Sequence, residues 1–214
     1  TASTAFVVGM ILMIAHWNWM DPSIGNLQPV LNSYWLMIHV SIIVGSYGPF
    51  TLGMILGIVA LLLMIFTTKS NKAKMELNLK EITYINEMAL TVGLVMLTIG
   101  NFMGGQWANE SWGRYWGWDP KETWALISIM VYAFVIHMRF VPALRGLWIY
   151  NLMSVLAFYS IMMTYFGVNF YLSGLHSYAK GDQVVTPSFI WISVGIITVL
   201  GSLAFYKYKK YYKK

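Results

Sequence analysis

An all-α bundle of about six transmembrane helices, with an external tryptophan-rich segment, is the fold this sequence predicts, on three observations. First, 58% of the 214 residues are hydrophobic and 10% charged, with a mean hydropathy of +0.60, too little polar surface for a domain facing water. Second, the apolar residues gather in runs of bilayer length, at 1–15, 47–67, 83–103, 123–140, 147–168 and 188–206. Third, the segments between these runs sort by charge.

The run at 1–15 is short and begins at Thr1, so the chain reads as part of something longer, without a recognisable signal peptide. Residues Tyr34 to Thr67 would make a helix of about 50 Å at 1.5 Å per residue, against a hydrocarbon core of about 30 Å. Either Gly48-Pro49 breaks that helix or it projects from the membrane, carrying His39 outward. Asp119-Pro120-Lys121-Glu122 reads as the start of the helix over 123–140: an N-cap, a proline at N1 and a capping-box glutamate at N3. The runs at 147–168 and 188–206 complete a single transmembrane domain over 1–214.

Lys69, Lys72, Lys74, Lys80, Arg139, Arg145, Lys207, Lys209, Lys210, Lys213 and Lys214 all fall on one side, leaving Arg114, Lys121 and Lys180 on the other. The positive-inside rule makes the first side cytoplasmic and the tryptophan-rich segment external. The formal charge of +6 is therefore a topological signal and not a nucleic-acid surface. The lysine-rich tail reads as a solvated stop signal, with attraction to anionic membrane lipid as the second reading. The absence of cysteine excludes thiol chemistry, iron–sulfur clusters and covalent c-type haem within this chain.

Residues 104–124, GGQWANESWGRYWGWDPKETW, hold five of the ten tryptophans: Trp107, Trp112, Trp116, Trp118 and Trp124. Asn109, Glu110, Ser111, Arg114 and Asp119 keep the segment out of hydrocarbon. Its rings either anchor the chain at the membrane interface or form a platform for a flat apolar ligand such as a porphyrin. Arg114 and Lys121 suit carboxylates such as haem propionates, or pair with Glu110, Asp119 or lipid phosphate.

Of the four histidines, His39 and His176 are expected on the outer side, flanking that segment in sequence. Two neutral imidazoles beside an aromatic platform meet the needs of a six-coordinate haem iron. A non-haem metal would want a further ligand, for which Asp182 is the nearby acid. His137 lies 13 residues beyond Trp124, about 20 Å deeper, beside the cytoplasmic Arg139. It marks either a second, intramembrane site or a histidine snorkelling to the inner edge. His16 reads as interfacial and serves as a reserve ligand.

WANESWGRYWGWDPKETW resembles the WWD signature of haem-handling membrane proteins. LQPVLNSYWLMIHV, HMRF and FGVNFYLSGLHSY resemble the flanking segments of the CcsA (ResC) family of System II cytochrome c biogenesis proteins, from about Leu27 to Tyr178. The resemblance implies His39 and His176 as axial ligands of haem b held non-covalently in transit at the outer face. It implies Trp107, Trp112, Trp116, Trp118 and Trp124 as platform residues, with Arg114 and Lys121 at the propionates. His137 matches a transmembrane haem histidine whose family partner, in an earlier helix, has no counterpart here. CcsB (ResB), separate or fused, an apocytochrome c with a Cys-x-x-Cys-His motif and a thiol-reducing pathway are the implied partners. Together these form a cytochrome c synthase, or haem lyase, in a bacterial inner membrane or a thylakoid membrane. The rival readings are System I-type delivery to a haem chaperone, a b-type cytochrome relaying electrons, and a transporter whose tryptophans form a belt.

Overall fold

The computed structural model describes residues 5–6, 8–10, 13, 33–172, 174–175 and 188–212. Among these there is no strand, and the elements are α1 (Tyr34–Ile65), α2 (Lys72–Trp112), α3 (Pro120–His137), α4 (Leu147–Met162), α5 (Val168–Tyr171) and α6 (Ser188–Tyr211). Among the described residues five helical stretches are long and apolar enough to cross a membrane, namely α1, α2, α3 extended to Phe140, α4 extended to Gly167, and α6. The protein is a polytopic membrane helix bundle. The expected span at 1–15 lies largely outside the described residues.

Of the two outcomes open for Gly48-Pro49, the helix runs through: α1 is continuous for 32 residues with Pro49 inside it. Proline lacks an N–H, but neighbouring hydroxyls engage carbonyls around it, Ser46 Oγ donating to Ile43 and Thr51 Oγ1 to Tyr47. At 1.5 Å per residue α1 is about 48 Å long and α2, with 41 residues, about 60 Å. Both exceed a hydrocarbon core of about 30 Å, so the α1–α2 hairpin projects beyond it. Residues 104–112 are therefore the last turns of α2 and not a loop; only 113–119 are irregular.

Glycines let these two helices touch. A Cβ on Gly93 would stand 2.8 Å from the Phe50 ring, on Gly100 2.7 Å from Ile43, and on Gly104 3.2 Å from His39. Small residues at such seams substitute close packing for the hydrophobic force that lipid does not supply. Phe50, in turn, stacks on Tyr132 of α3, ring centroids 3.8 Å apart, at the centre of the core.

Polar residues join α2 to α4 where no water competes. Asn86 Nδ2 donates to Asn151 Oδ1 at 3.2 Å and to Ser154 Oγ at 3.0 Å, and Asn151 Nδ2 donates to Thr83 Oγ1 at 2.8 Å, all buried. Beyond Met162 a wide turn, Met163–Gly167, leads into α5. The hydroxyls of Ser128 and Thr164 meet at 2.9 Å, fixing that turn against α3. More lightly attached, α6 touches α4 through Trp148 Nε1, which donates to the Gly201 carbonyl at 2.9 Å, and through the Tyr159 and Ser193 hydroxyls at 2.6 Å. A mainly apolar cavity of about 1110 Å³ lies among α1, α3, α4 and α6, lined by Met54, Trp124, Phe158, Phe166 and Ile196, among others.

The two ends of the bundle differ. Lys69, Lys72 and Lys74 at the α1–α2 turn, Arg139 and Arg145 between α3 and α4, and Lys207, Lys209 and Lys210 on α6 share one end. There the Thr67 and Tyr212 hydroxyls meet at 2.8 Å, and Lys207 Nζ donates to the Thr67 carbonyl. The start of α1, the end of α2 and the start of α3 lie at the opposite end, with the tryptophan-rich segment.

Candidate functional site

His39 sits on the second turn of α1, where the helix crosses the last turns of α2. Only 6% of it is exposed. Its Nδ1 lies 2.7 Å from the Trp35 carbonyl oxygen, one turn back; because a carbonyl only accepts, Nδ1 carries the proton and the lone pair of the neutral ring resides on Nε2. This is the tautomer of a histidine that binds a metal through Nε2, with its other nitrogen fixed by a carbonyl. The ring stacks on Trp107, centroids 5.3 Å apart and planes 27° apart, and its edge passes over Gly104. Trp107 is itself buried and meets Trp112 edge-on at 4.6 Å. Trp107 and Trp112 thus stand behind and beside the histidine on α2.

Gly113 ends α2 with a left-handed φ of 72°, its N–H donating to the Asn109 carbonyl at 2.9 Å. The chain then makes a short loop to Asp119. In it Trp118 also adopts a left-handed conformation, φ 57°, which costs a non-glycine residue about 1 kcal/mol or more. Glu122 holds that turn from α3: its Oε2 accepts the N–H of Gly117 at 2.7 Å and of Asp119 at 3.3 Å, on either side of Trp118. The result is a 70% exposed indole, meeting Trp116 edge-on at 5.7 Å. A large aromatic ring displayed on a strained backbone, instead of buried, is the arrangement expected of a contact surface.

Arg114 is paired with Glu122, Nη1 to Oε1 at 3.3 Å, while its guanidinium lies 5.5 Å from the Trp112 ring centre. Lys121 Nζ donates to Asn169 Oδ1 at 2.7 Å and lies 5.8 Å from the Tyr165 ring, joining α3 to α5. The capping box forms as the sequence predicts, with Asp119 accepting from the Lys121 N–H at 2.9 Å. Trp124, one turn into α3, lines the apolar cavity among α1, α3, α4 and α6, whose lining does not include His39. In the sequence Glu122 shows only a capping role, nothing local marks Asn169, and Gly104 is marked only by its four-residue spacing from Gly100.

His137 ends α3 at the basic end. Its Nδ1 bonds the Ala133 carbonyl at 2.6 Å, repeating the tautomer of His39, but the ring is exposed, with the Phe140 ring 5.8 Å away. Next to it, Arg139 pairs with Glu87 of α2. The structure does not bring His39 and His137 together; they lie at opposite ends of the bundle. His176, His16 and Asp182 lie outside the described residues.

The fold and this end of it define a class: an integral membrane helix bundle that sets a buried, tautomer-fixed histidine against the tryptophan-rich end of a neighbouring helix. The chain belongs to the cytochrome c assembly protein family, whose model matches residues 1–176. It is 50% identical over 183 residues to Protein NrfI of Wolinella succinogenes, covering 86% of this chain and 20% of that protein. It is 38% identical over 153 residues to the cytochrome c biogenesis protein CcsA of Chlamydomonas reinhardtii, covering 71% of this chain and 42% of the relative. With CcsA of Spinacia oleracea the identity is 34% over 195 residues, covering 73% and 59%. The chain thus spans about a fifth of NrfI and about half of these CcsA relatives.

Proposed function

We propose that this chain is the CcsA part of a cytochrome c synthase, which holds haem b as cargo at its tryptophan-rich end and presents it to an apocytochrome c. The observation that carries this reading is the seat of His39, buried between α1 and α2, stacked on Trp107 and fixed by Trp35 with its lone pair on Nε2. A haem iron takes that kind of nitrogen. His176 supplies the second axial nitrogen. Trp112, Trp116 and Trp118 offer aromatic surface to the macrocycle, Trp107 supports His39, and Arg114 and Lys121 stand ready for propionates by exchanging their Glu122 and Asn169 partners.

When bound, haem supplies vinyl groups, to which the thiols of a Cys-x-x-Cys-His motif add to form thioethers. The chain's own contribution is to hold and orient, while the reacting thiols come from the substrate. His137 belongs to a second haem site, on the cytoplasmic route, completed by a histidine from an earlier helix; its exposed position at the edge of α3 suits a shared site. By the positive-inside rule the basic end is cytoplasmic or stromal and the tryptophan-rich end external, in a bacterial inner membrane or a thylakoid membrane. CcsB and a thiol-reducing pathway complete the machinery.

The test is the absorption spectrum of the purified protein with its CcsB partner. Six-coordinate low-spin haem is expected, altered in His39→Gly and in His176→Gly and restored in both by imidazole. Unchanged spectra in both variants would refute the ligand assignment. Covalent attachment to an apocytochrome peptide separates a synthase from a System I-type delivery protein and from a b-type cytochrome, neither of which forms thioethers.

A further inference from the structure

We propose that Asp119 is a positioning residue for the second haem ligand, holding the segment that leads into His176 against the start of α3. This rests on the function proposed above. The Asp119 carboxylate is buried and uses its two oxygens differently: Oδ1 accepts the Lys121 N–H and caps α3, while Oδ2 accepts the N–H of Leu175 at 2.7 Å. Capping alone needs one oxygen, and serine or asparagine would cap as well. The second bond is what calls for a carboxylate, since an amide would set its NH2 against the Leu175 N–H.

Gly174 fits this contact from the other side. A Cβ there would stand 2.9 Å from Pro120 Cδ and run into the Asp119 carboxylate itself, so only glycine lets residues 174–175 close on the cap. Six residues upstream of Leu175, the bond between Lys121 and Asn169 makes a second clasp between the same two segments. His176 is the next residue in the chain. Trp118 immediately precedes Asp119 on the other side of the junction, with Trp116 two residues before Trp118. A single carboxylate thereby ties the end of the tryptophan loop to residues 174–175, which lead directly into His176.

Two variants break the tie in different ways: Asp119→Asn retains the cap and loses the acceptor for Leu175, whereas Gly174→Ala retains the carboxylate and obstructs the approach. Both are measured in the complete complex beside His176→Gly, by haem spectrum with and without imidazole, by thermal melting and by attachment to an apocytochrome peptide. The expected result is a melting curve close to the parent, a perturbed low-spin spectrum restored by imidazole, and attachment reduced about tenfold, in line with one lost hydrogen bond to a charged group. A parent-like spectrum and attachment in both variants, with His176→Gly altered, overturns the positioning role alone. Unchanged His176→Gly overturns the ligand assignment and this proposal with it. Loss of folded protein in both Asp119→Asn and Gly174→Ala makes the contact a structural clamp only, which also overturns it.

Discussion

The imidazole of His39 lies on the indole of Trp107, centroids 5.3 Å apart, and both rings are buried where α1 crosses α2. This stack and the Trp35 carbonyl together fix the ring's plane and tautomer. Trp107→Ala removes one of the two constraints and opens a cavity. Its expected cost is about 3 kcal/mol of stability, the usual scale for a buried tryptophan. Trp107→Phe retains an aromatic face and is expected to lose about 1 kcal/mol, as for a partial volume change. Chemical or thermal unfolding in detergent measures both. If Trp107→Ala melts with the parent, the stack does not hold the site together.

Trp118 separates conformation from contact. Replacing it with glycine relieves a left-handed backbone worth about 1 kcal/mol while deleting the exposed ring. Trp118→Gly should therefore melt at or slightly above the parent temperature, yet bind less haem and attach it less well. A haem content equal to the parent's would deny the ring a place in the platform.

Glu122 is the residue on which the loop closes, receiving two backbone N–H groups and the Arg114 guanidinium. Glu122→Ala releases all three while Asp119 continues to cap α3. Limited trypsin digestion, followed by mass spectrometry, is expected to show cleavage after Arg114 accelerated several-fold, because a loosened loop enters a protease more readily. Equal rates would mean that the loop is held by other contacts.

The buried Asn86, Asn151 and Ser154 cluster makes a different prediction, about assembly of the bundle. Asn151→Leu leaves Asn86 with one of its two donor contacts and removes a donor to Thr83. Hydrogen bonds between membrane helices are modest, so the expected loss is about 1 kcal/mol, measured by unfolding in mixed micelles. A loss of several kcal/mol would indicate a packing clash in place of a lost bond.

Hydropathy and charge made the apolar runs and the basic end legible, because lipid imposes a length and a polarity that a linear sequence displays directly. The capping box at Asp119 was legible for a different reason: it is local, complete within four residues. What the sequence did not display were relations across helices. That Glu122 also secures Gly117, that Lys121 reaches Asn169, and that Trp107 lies on His39 depend on how helices far apart in sequence meet. Nor was the division of the tryptophans visible, since Trp107 and Trp118 share a segment yet one is buried and the other exposed. Continuity of α1 through Pro49 was left open because a proline's effect depends on neighbouring packing as much as on its own ring.

His137 offers the clearest separation of function from stability. Its ring is exposed, it bonds a carbonyl of its own helix, and among the described residues it takes no part in the buried core. His137→Ala should consequently shift stability by no more than about 0.5 kcal/mol, as surface substitutions do. If the residue receives haem on its way across the membrane, the same variant should accumulate to parental levels with the outer site poorly loaded. Haem added to the external face of reconstituted vesicles should then fill that site, because the defect lies upstream of His39. Normal loading without added haem would remove His137 from the route, and failure of external haem to restore loading would place its effect on the outer site itself.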